Sequence, residues 1–345
     1  MVIKRSRFSE ADLAKLKTFR MADVERKVET EAFAKLTKPG GSFTEFASSL
    51  PNILAAKELR EFAGVIAAAT KAKKAVVVMV GGHVVKTGMT PLIIDWMQRG
   101  VITALATHGA TIIHDTEIAL FGRTSEDVAE GLADGSFGMS RDTADFINNA
   151  IADPSAAKLG FGEALGVALM EAGAPFADLS LLCAAHKIGI PLTVHVAIGT
   201  DIIHQHPSAE GAAIGRASLR DFRIFVNQVG KLSAGGAVIN FGSAVIMPEV
   251  FLKALSVARN LRAPAHGFAA ANFDMFTQYR PTQNLLNRPT LTGGRKFNFI
   301  GHHEIMIPLL FAMVNEVLKR ETRAIRRGGR KDAKTHHNSD KRSPR

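Results

Sequence analysis

Twelve histidines and a scattering of carboxylates give this chain most of its capacity for acid–base chemistry, and they cluster. Four short stretches combine Gly, Thr or His with polar residues, each close behind an apolar run. The first is Gly81-Gly82-His83-Val84-Val85-Lys86-Thr87-Gly88. Its glycines permit close backbone approach, and a helix starting there can hold a phosphate. It is not a GxGxxG fingerprint, and a tight turn with exposed His83 and Lys86 is the plainer alternative. The second is Thr107-His108-Gly109-Ala110, followed by His114-Asp115-Thr116-Glu117. Small residues there let a ribose or pyrophosphate lie on the backbone, while His114, Asp115 and Glu117 can handle protons and cations. A structural His–Asp pair is the competing explanation.

The third stretch, Gly199-Thr200-Asp201, leads to His204 and His206. Asp201 directly after a strand suits an ammonium or a ribose, or simply caps a helix. The fourth is Gly301-His302-His303-Glu304. Paired histidines suggest a metal, since imidazole with carboxylate suits zinc or iron. Adjacent histidines point apart, however, and neither HExxH nor paired-Cys spacing occurs, so no metal site is assigned. A metal held by His114, His204 or His206, and His302 remains the alternative chemistry, and a non-catalytic binding protein the alternative class.

The elements that must position these residues alternate. Ala75–Val80 is an apolar run that stops at two glycines, as a strand buried on both faces should. Thr90 and Pro91 open a helix with an apolar stripe that ends at Gly100, and Val101–Ala106 is the next strand. This is a βαβ crossover. Further strands are expected at 192–198, 237–241, 269–272 and 297–300, with helices at 162–172, 249–260 and 304–320. The expected fold is α/β, a single doubly wound, mostly parallel Rossmann-like sheet, in which chemistry belongs to the loops after strands. Residues 1–72 read as a helical extension packed on the core, from the spacing of Leu13, Leu16, Phe19 and Met21. The catalytic-type domain spans 73–320, and 321–345 reads as a disordered basic tail.

Composition narrows the function classes. The chain has 345 residues, 46% of them apolar, and a formal net charge of +11. Residues 321–345 hold nine Lys/Arg against three acids, so more than half of that charge sits in the tail. With one Trp and one Tyr and no basic–aromatic motif, a specific nucleic-acid partner is not expected. No apolar run reaches a membrane span and no secretory h-region follows the first basic residues. Cys183, the single cysteine, lies in an apolar run and reads as a buried small hydrophobe. A reducing, cytoplasmic setting is the expectation.

The order of the loops resembles that of the deoxyhypusine synthase family. Thr107–Asp115 is similar to that family's Thr-Thr-Ala-Gly-Gly-Val-Glu-Glu-Asp stretch, and Ile188–Leu192 leading to Thr200-Asp201 to its Asn-Gly-Ile-Pro-Val strand and Thr-Asp-Gly-Ser loop. Phe241–Glu249 falls on its Gly-Gly-Gly-Val-Val-Lys-His-His loop. Phe273-Asp274 with Arg280-Pro281, and His302–Leu310, match its last two segments. The resemblance covers about residues 75–320.

It implies a tetrameric, NAD-dependent enzyme acting on a small amine or polyamine. Gly82, Thr107, Gly109, Asp115 and Thr200 are then the cofactor-binding candidates. Asp201, Asp274, Arg280 and Glu304 are the substrate-binding ones, and His114 and His302 the catalytic ones, a histidine serving as proton acceptor. The family captures its substrate on the lysine of a Ser-Trp-Gly-Lys motif, which is absent here. Its place falls at Arg288 or Pro289, and arginine is too basic to serve. Lys296 is the one displaced candidate, so transfer to a protein lysine is not expected. Histidines stand at two of the family's carboxylate positions, His114 and His302.

Overall fold

A computed structural model describes residues 8–336. Helices α1 (Phe43–Ser49) and α2 (Leu54–Lys71) precede strand β1 (Val76–Val80); α3 (Gly82–Lys86) and α4 (Thr90–Gln98) lead to β2 (Ala104–His108). A long excursion through α5 (Gly109–Phe121), α6 (Val128–Asp134), α7 (Arg141–Ala152), α8 (Phe161–Glu171) and α9 (Leu181–Ile188) returns at β3 (Leu192–His195). Then come α10 (Gly211–Gly230), β4 (Ala237–Phe241), α11 (Ile246–Asn260) and β5 (Ala269–Asp274). A π-helical segment, Pro281–Asn287, runs into α12 (Arg288–Thr290), β6 (Arg295–Ile300) and α13 (His303–His336).

The six strands form one parallel sheet in the order β3-β2-β1-β4-β5-β6. Continuous apolar strands demand helices on both faces. In β1, Val76, Val78 and Val80 enter the larger apolar layer while Val77 and Met79 enter the one beneath α10 and α11. All six expected strands are present, with ends moved by a few residues. The register aligns Asn240, Asn272 and Asn298 across β4, β5 and β6. Their amides link in a row, Asn240 donating to Asn272 at 2.8 Å and Asn272 to Asn298 at 3.0 Å. This polar row lies within a strand residue or two of the sheet's carboxyl-terminal edge.

One expectation fails at the amino-terminal end of the chain. Residues 8–42 form single 3-10 turns at 13–15, 21–23 and 30–32 rather than helices. No residue in that stretch is buried, and Leu13, Leu16, Phe19 and Met21 are all exposed. Near-helical spacing does not suffice where no surface receives the apolar stripe, because packing supplies most of a helix's stability. Only α1 and α2 pack, α2 burying Phe62 and Ile66. At the other end α13 continues to His336 through most of the segment expected to be a tail, which is rich in the helix formers Arg, Lys, Glu and Ala. Residues 337–345 lie outside the described residues. Among the described residues no helix is long and apolar enough to cross a membrane.

Candidate functional site

From β1 the sheet grows in opposite directions, through β2 on one side and β4 on the other, so the loops after β1 and β4 diverge. In open parallel sheets the crevice at this switch point is where ligands bind. Here its floor is fixed by two glycines. A Cβ on Gly81 would fall 2.4 Å from the Gly242 carbonyl oxygen, and one on Gly242, whose φ is +68°, would fall 2.5 Å from His303 Nε2. The crevice opens as a cleft of about 370 Å³. Gly82, His83, Lys86, His108, Ala110 and His114 form one wall, and the segment Gly242–Ile246, entering α11, the other.

No carboxylate lines this cleft. Four basic side chains face a space bounded also by the amino terminus of α11, the positive end of that helix's dipole. Burial pushes the His108 imidazole down to about 4. His114 is also held at about 4, by burial first and then by Lys86, His108 and His83. Both rings are therefore neutral at pH 7, and the local field favours an anion.

A second cavity of about 240 Å³ opens beside the cleft and shares Lys86, Ala110 and His114 with it. Its character is opposite. Asp201, Glu117 and Glu126 contribute carboxylates, and Ile113, Val128, Phe137 and Ile202 contribute apolar walls. Asp201 lies over the first turn of α5: a Cβ on Gly109 would fall 1.9 Å from its Oδ2, so only glycine fits there. The carboxylate accepts from the Ala110 N–H, yet burial raises its pKa to about 6. Its buried Oδ2 has no hydrogen-bond partner. An unpaired buried carboxylate oxygen is costly and calls for a donor.

His114 lies where the two cavities meet. Its Nδ1 is 2.7 Å from Thr124 Oγ1, and the Thr124 hydroxyl donates to Glu117 Oε2. Thr143 donates to the other Glu117 oxygen at 3.2 Å. Thr124 reaches back to α5 because Gly122 ends that helix in a left-handed conformation, at φ +67°.

Of the candidates named from sequence, His114, Gly82, Thr200 and Asp201 line these two cavities. Gly109 underlies Asp201. Thr107 is turned inward, its hydroxyl donating to the Val80 carbonyl at 2.6 Å. Asp115 is a correction: its fully buried carboxylate accepts from Ser180 Oγ and from the N–H groups of Leu181 and Leu182, capping α9 rather than meeting a cofactor. Lys296 is another. It is the second residue of β6, at the amino-terminal end of the strand, paired with Ala270 and donating to Asn287, far along the strand from the loop that follows it.

His302 and His303 exchange the expected roles. His302 is largely exposed and 3.8 Å from Glu304, itself exposed. His303 is buried behind His83, their ring centroids 5.8 Å apart. Burial holds the His303 imidazole below its ordinary value, partly offset by Asp274, which is buried close by; one Asp274 oxygen accepts from Met275 N–H, while Oδ2 and the His303 Nδ1 have no partner. Arg280 pairs with Glu249 at 3.3 Å on the rim. His204 accepts from Gly199 N–H and His206 bonds the Gly138 carbonyl, so they do not join His114 and His302. Among the described residues no group of three or more His, Cys, Asp or Glu is arranged to hold a metal. Glu117 was named beside His114 for proton or cation handling, while His83, Lys86, His108, Thr124 and Glu126 were assigned no role in the site. The three-residue spacing of His114 and Glu117 on a helix was the one available signal.

These features define the class: a doubly wound, Rossmann-like α/β protein with a basic cleft at the switch point and an acidic pocket beside it. No protein-family model matches the sequence, and no curated protein matches it. Among solved structures the fold is similar to that of a LOR/SDH protein from Methanococcus maripaludis S2, with a TM-score of 0.50 at 13% identity over 77% of this chain and 71% of that one. A protein from Entamoeba histolytica described as a deoxyhypusine synthase aligns over 81% of this chain and 95% of that one, 12% identical, TM-score 0.48. AgrE, in a ternary complex with ornithine and NAD+, aligns at TM-score 0.49 and 13% identity over 76% of this chain, which spans 33% of AgrE. The likeness is one of fold.

Proposed function

We propose that the protein is an NAD-dependent enzyme that oxidises a small amine or polyamine, or transfers its aminoalkyl group to a free amine. The observation that carries this reading is the pairing of two cavities of opposite charge around one histidine. The basic, carboxylate-free cleft suits the pyrophosphate of a dinucleotide, with Gly82 leaving room for it, Lys86 and the α11 terminus supplying positive charge, and His83 offering a ring nitrogen. The adjoining pocket suits a cation, with the carboxylates of Asp201, Glu117 and Glu126 on its wall.

NAD supplies the hydride acceptor when bound. The chain's own residues do the rest. Asp201 holds the substrate nitrogen, and Val128, Phe137 and Ile202 cover its carbon chain and exclude water. As hydride leaves the carbon beside the nitrogen, His114 takes a proton from that nitrogen and the C–N bond becomes an imine. Lys86 is the only lysine among the residues lining the two cavities, and no lysine occupies the family's capture position. Release to water or to a second free amine therefore fits better than transfer to a protein lysine. A homo-oligomer is part of the same reading.

A thermal-shift series with NAD, NADP, putrescine, spermidine and divalent metals tests it. NAD at about a hundred times its dissociation constant should stabilise the fold by roughly 2.7 kcal/mol, and an amine should add to that. A melting temperature that ignores every nucleotide and amine, or that responds only to metal, contradicts the proposal.

A further inference from the structure

Resting on that reading of the site, we infer that Thr124 and Glu117 are positioning residues that hold His114 with hydrogen on Nδ1 and with Nε2 bare toward the ligand. The argument is a count of hydrogens. A threonine hydroxyl has one, and that of Thr124 goes to Glu117 Oε2. At 2.7 Å from His114 Nδ1, Thr124 Oγ1 can then only accept, so Nδ1 must carry the ring's hydrogen. A neutral imidazole has a single N–H, which leaves Nε2 with its lone pair. Among the described residues no hydrogen bond ends on Nε2. The Cδ2–Nε2 edge is the one turned to the cleft, since Cδ2 lies 3.3 Å from where a Gly82 Cβ would be.

The surroundings keep this arrangement in place. Lys86 and His83 on α3 and His108 on β2 face His114 and disfavour its cation. Glu117, on the same helix as His114, stands 3.9 Å from Nδ1, on the side away from the cleft. Thr143 Oγ1 fixes the second Glu117 oxygen, so the acceptor for Thr124 is itself held. The chain Glu117–Thr124–His114 thus orients a base by a third group, the logic common to activated catalytic histidines. It selects the tautomer less common in a free histidine side chain, and it presents a proton acceptor to the pocket where Asp201 waits for an ammonium.

Long-range ¹H–¹⁵N correlation of the ¹⁵N-labelled full chain at pH 7 reads the tautomer directly, without turnover. His114 should show a protonated Nδ1 and a bare Nε2 in the wild type and in Thr124→Ser. Thr124→Val, which keeps the shape and removes the oxygen, should move the hydrogen to Nε2, as should Glu117→Leu. If amine-dependent NAD reduction is observed, Thr124→Val should lower kcat at least tenfold with little change in the amine KM, and Thr124→Ser should restore it. A wild-type His114 protonated at Nε2 overturns the inference, as does a folded Thr124→Val that keeps the Nδ1 hydrogen. A tautomer that follows Thr124 in a protein without NAD or amine binding leaves the positioning intact and removes the proposed function instead.

Discussion

At His114 two requirements meet that seldom coincide on a surface histidine: the ring is neutral at pH 7, and it borders both an anion-favouring and a cation-favouring space. His114→Gln should lower amine-dependent NAD reduction by about 10²–10⁴-fold, the range for loss of a general base, while NAD affinity changes little. Steady-state kinetics beside a binding titration separate the two effects. Asp201 makes a pH prediction. Burial raises its pKa to about 6, so the charged form that binds an ammonium is present above that value and is lost as pH falls through it. Putrescine affinity should therefore weaken as pH drops from 7 to 5, and Asp201→Asn, which still accepts from Ala110, should weaken it at least tenfold and flatten the profile. His114 and Asp201 were legible in the sequence because each follows a strand and a glycine. Which member of His302-His303 turns inward was not, since that depends on the αL bend at Gly242 against which the His303 ring rests.

The elements that hold these residues depend on close backbone contacts. Gly81→Ala would place a methyl 2.4 Å from the Gly242 carbonyl, backbone against backbone with no side chain to yield. Such overpacking typically costs about 1–3 kcal/mol, and because it would push the two walls of the cleft apart, NAD affinity should fall along with the melting temperature. Asp221 on α10 is the counterpart at the sheet's edge. Its buried carboxylate accepts from Gly162 N–H at 3.0 Å and from Val194 N–H at 2.7 Å, joining α8 to edge strand β3. Asp221→Ala strands those donors and should destabilise the fold by about 1–3 kcal/mol in urea titration. Strand positions were readable from short apolar runs ending in glycine. The Asp221 and Asp115 caps and the Asn240–Asn272–Asn298 row were not, because each joins residues that only the register and helix packing bring together.

For the molecule as a whole, the alternation of strands and helices was enough to foresee one parallel sheet. It did not foresee residues 8–42, where no residue is buried. Folding stability should show two opposed pH dependences. Asp115, Asp201 and Asp221 have raised pKa values, to about 6, about 6 and about 7, so the native state holds protons that the unfolded chain loses, and their contribution declines as pH rises from about 4. His108, His114 and His195 have lowered values, to about 4, about 4 and about 3, and theirs declines as pH falls below 6.5. The two trends offset each other, since the unfolded histidines titrate over the range in which the buried carboxyls ionise, and the melting temperature should accordingly vary little between about pH 4.5 and about pH 7.5.

The pairing of cleft and pocket is tested most directly by calorimetric titration of NAD into the full-length chain at pH 7, for the wild type and for Lys86→Glu. Lys86 is exposed and lines both cavities, so reversing its charge alters the field with little threat to the fold. The wild type should bind one NAD per chain, and Lys86→Glu should bind it at least tenfold more weakly, a difference of about 1.4 kcal/mol or more. No saturable binding to the wild type, or equal binding to both proteins, would contradict a dinucleotide site at the switch point.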